Sequence, residues 1–304
     1  MSTAPFRSDS LVMTALWTAA ARAHESRRAD RLFSDLWAPV LVGKPIADAY
    51  DHAIACVGIE TADLNAIITR YFDDFLIHAA EVEGIRQVAI VGAGLDTRAF
   101  RLRWPAQTRL YELDQPGLLA YKNGCLAAAG AASGCARRTL GVDLNERWQD
   151  ALRDAGFDPG QRSVWLMEGL VYFLAEPAVR NLLAGIADLS APGSRMGVEL
   201  VNADMLTAPS TRHWNERMAA AGAPWLFTSD HPELLLAEFG WSASVVQAGE
   251  KDASFGRCCG PAKPCTASAT PRCFLVTATR LPAGETRREV VDAVEGGPMG
   301  RKCG

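Results

Sequence analysis

The sequence predicts an α/β protein built on a doubly wound, seven-stranded and mostly parallel sheet, with a helical cap ahead of it and an insertion after strand five. Three observations carry this expectation. The apolar run Gln87-Val88-Ala89-Ile90-Val91 ends in Gly92-Ala93-Gly94, as a buried strand does where it turns into the helix of a nucleotide-binding unit. Beyond it, short apolar runs alternate with helical patterns, the sign of a parallel sheet covered on both faces. A chain of 304 residues with 49% hydrophobic content can bury a core of that size.

In chain order, residues 1–79 show few strand signals, and Leu64, Ile67, Ile68, Tyr71, Phe72, Phe75 and Leu76 fall at helical spacing, which predicts the cap. Residues 80–281 hold the strands, expected at 87–91, 108–113, 138–142, 163–167, 195–201, 243–247 and 272–278. Helices are expected at 116–129, 145–155 and 232–239. A further crossover helix carries Val179, Leu182, Leu183, Ile186 and Leu189, with Pro177 at its start and Gly193 past its end. Residues 202–231 contain Met205, Leu206, Trp214, Met218, Trp225 and Phe227, too many large apolar groups for a simple connection; they read as a lid over a substrate or as additional core packing. The tail 282–304 is rich in Gly and Glu without a clear period and reads as mobile.

The glycine turn, alone, fits either a ligand site or a plain tight turn. Glu112 and Asp114 follow about 20 residues on, where such folds hold a ribose hydroxyl. The dinucleotide fingerprint nevertheless fails, because its third glycine position holds Thr97 and because Asp96 places a negative charge where a pyrophosphate needs donors. A phosphate-free ligand with a ribose and a cationic amino acid end fits better, and S-adenosylmethionine is such a ligand.

Four motifs then recur in order: Val88 to Leu102; Tyr111-Glu112-Leu113-Asp114-Gln115-Pro116 with Tyr121-Lys122; Val142-Asp143-Leu144; and Trp165-Leu166-Met167-Glu168-Gly169-Leu170 with Tyr172 and Leu174. Together they resemble the leucine carboxyl methyltransferase-like family of S-adenosylmethionine-dependent methyltransferases, which includes bacterial polyketide O-methyltransferases. The resemblance runs from about residue 10 to about residue 200. Its N-terminal part, Thr14 to Trp17, Arg22 to Ser26 and Leu32 to Asp35, looks like the bacterial branch, with one departure: Leu36 follows Asp35 where the family usually has proline. The resemblance implies an antiparallel last hairpin.

Ligands of open α/β sheets bind at the carboxyl ends of the strands, so residues after each strand are the candidates. Gly92, Gly94 and Asp96 would line the cofactor at the glycine turn. The resemblance implies that Asp114, in preference to Glu112, accepts the ribose hydroxyls and that Asp143 and Leu144 hold the adenine. Asp143 alone reads equally as a helix-capping aspartate. Glu168 would take the cofactor ammonium, which accounts for a buried carboxylate, although a structural ion pair would account for it too. Arg70 matches the family's arginine for the cofactor carboxylate and otherwise reads as part of a solvated helix face. Tyr172 could hydrogen-bond the methyl acceptor, while Trp214, Met218, Trp225 and Phe227 would line an apolar acceptor pocket. A phenol or alcohol acceptor would need a base such as Glu168, His213 or His231, whereas a carboxylate arrives ionised.

A net charge of −4 with dispersed arginines gives no reason to expect a nucleic acid partner. No apolar run reaches the length of a membrane helix and the N-terminus lacks a leader pattern, so the default location is the cytoplasm. Eight cysteines are present, and Cys258, Cys259, Cys265 and Cys273 crowd together. Without a Cys-x-x-Cys pair or a nearby histidine they read as free thiols, and no metal is expected. No Ser-His-Asp, zinc-protease or P-loop spacing occurs. The leading expectation is an enzyme methylating a carboxyl or phenolic oxygen of a small, polyketide-like metabolite. A protein C-terminal carboxyl methyltransferase and a non-catalytic S-adenosylmethionine-binding protein are the alternatives, and an NAD-dependent dehydrogenase is disfavoured by Thr97.

Overall fold

The computed structural model of the chain describes residues 10–57, 60–257 and 270–282. Its sheet runs in the order β3-β2-β1-β4-β5-β7-β6. The strands are β1 (Gln87–Val91), β2 (Arg109–Asp114), β3 (Ala136–Gly141), β4 (Ser163–Met167), β5 (Arg195–Val201), β6 (Trp241–Gln247) and β7 (Cys273–Arg280). The first five pair in parallel, and β7 enters antiparallel between β5 and β6. Because strand side chains alternate between faces, each strand feeds two cores. Ala89, Val91, Tyr111, Trp165, Met167 and Val198 face one layer, and Val88, Ile90, Leu110, Val164, Leu166 and Leu275 face the other.

Three helices precede the sheet: α1 (Ser10–Arg27), α2 (Ala38–Val57) and α3 (Glu60–Glu81). The sequence places the end of the cap at residue 79, yet α3 runs through that position. It also packs Ile67, Phe72 and Leu76 against Val88 and Ile90, so it serves as a sheet-covering layer. The cap in the strict sense is α1 with α2, whose Leu16, Leu41 and Tyr50 form a third cluster with Leu95 and Leu118. Where the family's proline is missing, the buried carboxylate of Asp35 sets the turn by accepting from the backbone N–H groups of Trp37 (3.1 Å) and Ala38 (3.0 Å) at the start of α2.

After the glycine turn comes α4 (Arg98–Arg101), a single helical turn, because Pro105 favours extended backbone just before it and Leu102 is already extended. Then follow α5 (Pro116–Ala128), α6 (Trp148–Asp154) and α7 (Glu176–Asp188), the last two covering the Trp165 face. The insertion folds as α8 (Asp204–Thr207) and α9 (Arg212–Ala220), and α10 (Pro232–Ala237) leads into β6. Cap and C-terminal half are tied by Arg257, which is buried and reaches Glu25 at 2.8 Å and Asp63 at 3.0 Å. Cys258, Cys259, Cys265 and the tail from 283 onward lie outside the described residues; Cys273 opens β7.

Candidate active site

The carboxyl edge of the parallel strands gathers the candidate residues. At the end of β1 the chain turns through Gly92 (φ +67°) and Gly94 (φ +42°), a left-handed path that glycine adopts at least cost. A Cβ on Gly92 would lie 2.8 Å from Leu170 Cδ1, so that side chain would have to shift, while the positive φ is what favours glycine here. Asp114, ending β2, holds this turn: one carboxylate oxygen accepts from the Gly94 N–H and the other from the Gln115 N–H, each at 2.6 Å.

Glu112 lies elsewhere. It is fully buried, with its carboxylate 2.7 Å from Lys122 Nζ and 2.6 Å from Arg137 Nη2. Two cations hold it as a structural anchor, which corrects its expectation as a cofactor contact. The same ammonium of Lys122 donates to the Asp96 carbonyl at 3.1 Å and so braces the glycine turn from below.

Arg98 is the hub that sequence reasoning missed. Its guanidinium meets Asp73 (2.7 Å), Asp96 (2.5 Å) and Glu168 (2.7 Å), and it is itself buried. Burial would push the Asp96 carboxyl up, but the charges of Arg98, Lys122, Arg101 and Arg22 outweigh it and lower it to about 2. Asp96 therefore faces a protein cation. Glu168, just after β4, has the ion-pair partner that its alternative reading required, although its side chain stays 22% exposed at the strand edge and Thr69 Oγ1 donates to its other oxygen at 3.4 Å. Arg70 is turned away: it pairs with Asp74 at 2.9 Å and donates to the Leu32 carbonyl at 2.8 Å, which corrects its expectation as the clamp on the cofactor carboxylate. The side chain is partly exposed and its guanidinium lies over the Phe255 ring at 5.5 Å, so it packs between segments as well as facing solvent.

Thr97, at the failed glycine position, donates to Asp35 Oδ2 at 2.6 Å, and the same oxygen takes Arg22 Nε at 2.9 Å. Arg22 also donates to the Leu95 carbonyl at 2.6 Å. The residue that breaks the dinucleotide pattern is thus the tether between cap and glycine turn. Asp143, exposed after β3, accepts from the Asn145 backbone at 2.9 Å; it closes a local turn and does not cap α6. Leu144 lines a hollow of about 360 Å³ together with Trp148 and Gly185.

Next to Glu168 the chain makes one 3₁₀ turn, Val171–Phe173, that buries Tyr172. Trp225 from the insertion lies on Tyr172 with ring centroids 4.4 Å apart, and its backbone neighbour Leu226 donates to the Tyr172 carbonyl at 2.6 Å. Of the four aromatic and thioether groups expected to line an acceptor pocket, Trp225 is the one that lies on Tyr172. Trp214 is 40% exposed on α9 and Phe227 packs in the core, while Met218 is buried on α9. These placements correct the reading of Trp214 and Phe227 as pocket residues. His213 is exposed and His231 faces solvent beside Glu233.

A second carboxylate that sequence reasoning missed lies under this corner. Glu199 of β5 is buried; its Oε2 accepts from the Gly169 N–H at 2.9 Å and its Oε1 from Cys273 Sγ at 3.4 Å, and the Tyr172 hydroxyl lies beside it. Burial first, and then the charge of Glu168, raise its carboxyl to about 7 despite these donors. The lone acidic residue within an apolar strand was the available signal.

Comparison with known proteins bears on this arrangement. A sequence model of the leucine carboxyl methyltransferase family matches residues 15–187. A candidate S-adenosyl-L-methionine-dependent methyltransferase of Saccharopolyspora erythraea is 39% identical over 255 residues, covering 81% of this chain and 88% of that protein. One from Mycolicibacterium smegmatis is 38% identical over 263 residues, covering 80% and 87%. Among solved structures, a DUF574 family protein from Streptomyces avermitilis superposes with a TM-score of 0.58 at 16% identity, over 85% of this chain and 98% of that one. A candidate methyltransferase from Thermobifida fusca gives 0.56 at 15% identity, over 85% and 96%; these two likenesses speak for the fold.

The seven-stranded sheet with its antiparallel β7 and its acceptor-lined glycine turn defines a class, the S-adenosylmethionine-dependent methyltransferases. Within that class, the chain belongs to the leucine carboxyl methyltransferase family. The residues present suit that cofactor. Each oxygen of Asp114 accepts one N–H here, and an ionised carboxylate offers about four lone-pair sites, so ribose hydroxyls can be added without loss of the turn.

Proposed function

We propose that the chain is an O-methyltransferase acting in the cytoplasm on a carboxyl or phenolic oxygen of a small, largely apolar, polyketide-like metabolite. The observation that carries this reading is the aromatic corner of Tyr172, Phe173 and Trp225 beside Glu168, at the end of the sheet where the glycine turn also lies. Flat apolar walls with few polar groups suit an aromatic or polyketide-like acceptor.

Bound there, S-adenosylmethionine supplies an activated methyl group on a sulfonium. Asp114 would hold its ribose hydroxyls, Asp143 and Leu144 its adenine, Gly92 and Gly94 would pass under its methionine part, and Glu168 would offer a carboxylate to its ammonium. Arg98, 2.7 Å from Glu168, fixes that carboxylate in place. For an in-line displacement the protein's contribution is alignment and exclusion of water, and the aromatic corner supplies both by restricting the acceptor to one plane.

The reading is tested by incubating the protein with methyl-labelled S-adenosylmethionine and a panel of aromatic acids, phenols and small polar acids. Label is expected in aromatic products only. Transfer to small polar acids, or to the carboxyl terminus of an added protein in preference to the aromatics, would remove the small-metabolite reading.

A further inference from the structure

Glu199 has no role in the mechanism above, yet its surroundings are unusual for a carboxyl group. It sits on a central strand, is only 7% exposed, and among the described residues no lysine or arginine pairs with it. The ionisable groups facing it are Glu168 from the end of β4, Tyr172 from the 3₁₀ turn and Cys273 from β7, while α3 packs Phe72 and Phe75 against Gly197 of the same strand. Arg98 is committed to Glu168, Asp96 and Asp73. A buried carboxylate without a cation is costly to keep ionised, so such a group readily takes up a proton. Its neighbour Tyr172 leads towards the aromatic corner, where the indole N–H of Trp225 is buried and has no partner among the described residues.

Resting on the methyltransferase reading of this site, we infer that Glu199 is the proton acceptor of the transfer step, acting through Tyr172, and that the methyl acceptor carries a neutral hydroxyl, a phenol or an enol. The acceptor hydroxyl gives its proton to Tyr172 Oη as the Tyr172 proton passes to Glu199. The acceptor oxygen then bonds the methyl carbon while the carbon–sulfur bond breaks, and that electron pair neutralises the sulfonium. The proton left on Glu199 returns to solvent when the product leaves. Tyr172 stays a neutral carrier, since burial and Glu199 both push its hydroxyl well above the ordinary range. Trp225 Nε1 is placed to donate to a second oxygen of the acceptor molecule.

With its carboxyl raised to about 7, Glu199 is a base above neutrality and an acid below it. The activity should therefore rise with pH through that region. Three measurements test this. First, infrared difference spectra of the ligand-free protein should show the stretch of a protonated carboxyl that titrates near neutrality and is missing from Glu199→Gln. Second, labelled S-adenosylmethionine with the aromatic panel should yield alkali-stable ethers. Third, Glu199→Gln should lower kcat by about 100-fold or more, the usual range for loss of a base, and abolish the rising limb, while Glu199→Asp restores part of both.

Calorimetry should find S-adenosylhomocysteine binding unchanged in these variants, which separates a proton-transfer role from a structural one. Alkali-labile esters as the sole products overturn the inference, as does a rising limb that survives Glu199→Gln, or the absence of the titrating carboxyl. Failure of the wild-type protein to bind S-adenosylhomocysteine overturns instead the methyltransferase reading on which the inference rests.

Discussion

Asp114 holds the glycine turn with both carboxylate oxygens at 2.6 Å, and the same group is proposed to hold the ribose. Replacing it removes a cofactor partner and a turn brace together. Asp114→Ala should weaken S-adenosylhomocysteine by about 1–3 kcal/mol, roughly a 5- to 150-fold rise in Kd, read by titration calorimetry. Asp114→Asn, which keeps one oxygen for the Gly94 N–H, should lose less. Equal binding by Asp114→Ala would take the ribose away from this residue. At this scale the sequence reveals position along the sheet edge but not charge partnership. Glu112 and Asp114 are two apart on one strand, so alternation puts them on one face, and only the fold shows that Lys122 and Arg137 claim the first. Arg70 and Arg98 are similarly alike in sequence, but one reaches Asp74 on its own helix and the other gathers three carboxylates from separate elements.

Elements were more legible than residues, because strand runs and helix periods are local. β1, β4 and β5 fall where the apolar runs place them, and β7 starts and ends one to two residues later than the run 272–278. The insertion after β5 was legible as a cluster of aromatics but not as an arrangement. Trp214 and Trp225 are separated by eleven positions, and which of them turns inward depends on the break between α9 and the segment that follows it. The structure places Trp225 on Tyr172 and leaves Trp214 40% exposed. Accordingly, Trp225→Ala should raise the acceptor KM several-fold, with cofactor affinity retained, whereas Trp214→Ala should leave steady-state kinetics unchanged. Reversed results would mean that α9 folds over the acceptor and that the Tyr172 stack is plain packing.

For the molecule as a whole, cofactor contacts are proposed on β1, β2, β4 and the loop after β3, elements that separate on unfolding. A ligand that binds only the folded arrangement stabilises it by mass action, about 2.7 kcal/mol at a concentration 100 times Kd. S-adenosylhomocysteine should therefore raise Tm in a concentration-dependent way, and NAD should not, since Thr97 and Asp96 occupy the pyrophosphate's place. A shift with NAD alone would contradict the cofactor assignment.

Arg257 closes onto Glu25 and Asp63 across most of the chain. During synthesis, α1 to α3 leave the ribosome long before that arginine exists, and so does β5 before its antiparallel neighbour β7. Contacts so far apart in sequence require costly loop closure and form late. The nascent N-terminal half therefore carries Glu25 and Asp63 with Arg28 as their interim counter-ion, and an open β5 edge, until the last stretch of the sheet arrives. An unpaired strand edge is a template for association with other chains. A premature stop between the end of β5 at residue 201 and residue 257 should thus yield an aggregating fragment, and not a smaller functional domain, even though every proposed cofactor contact is already encoded by then.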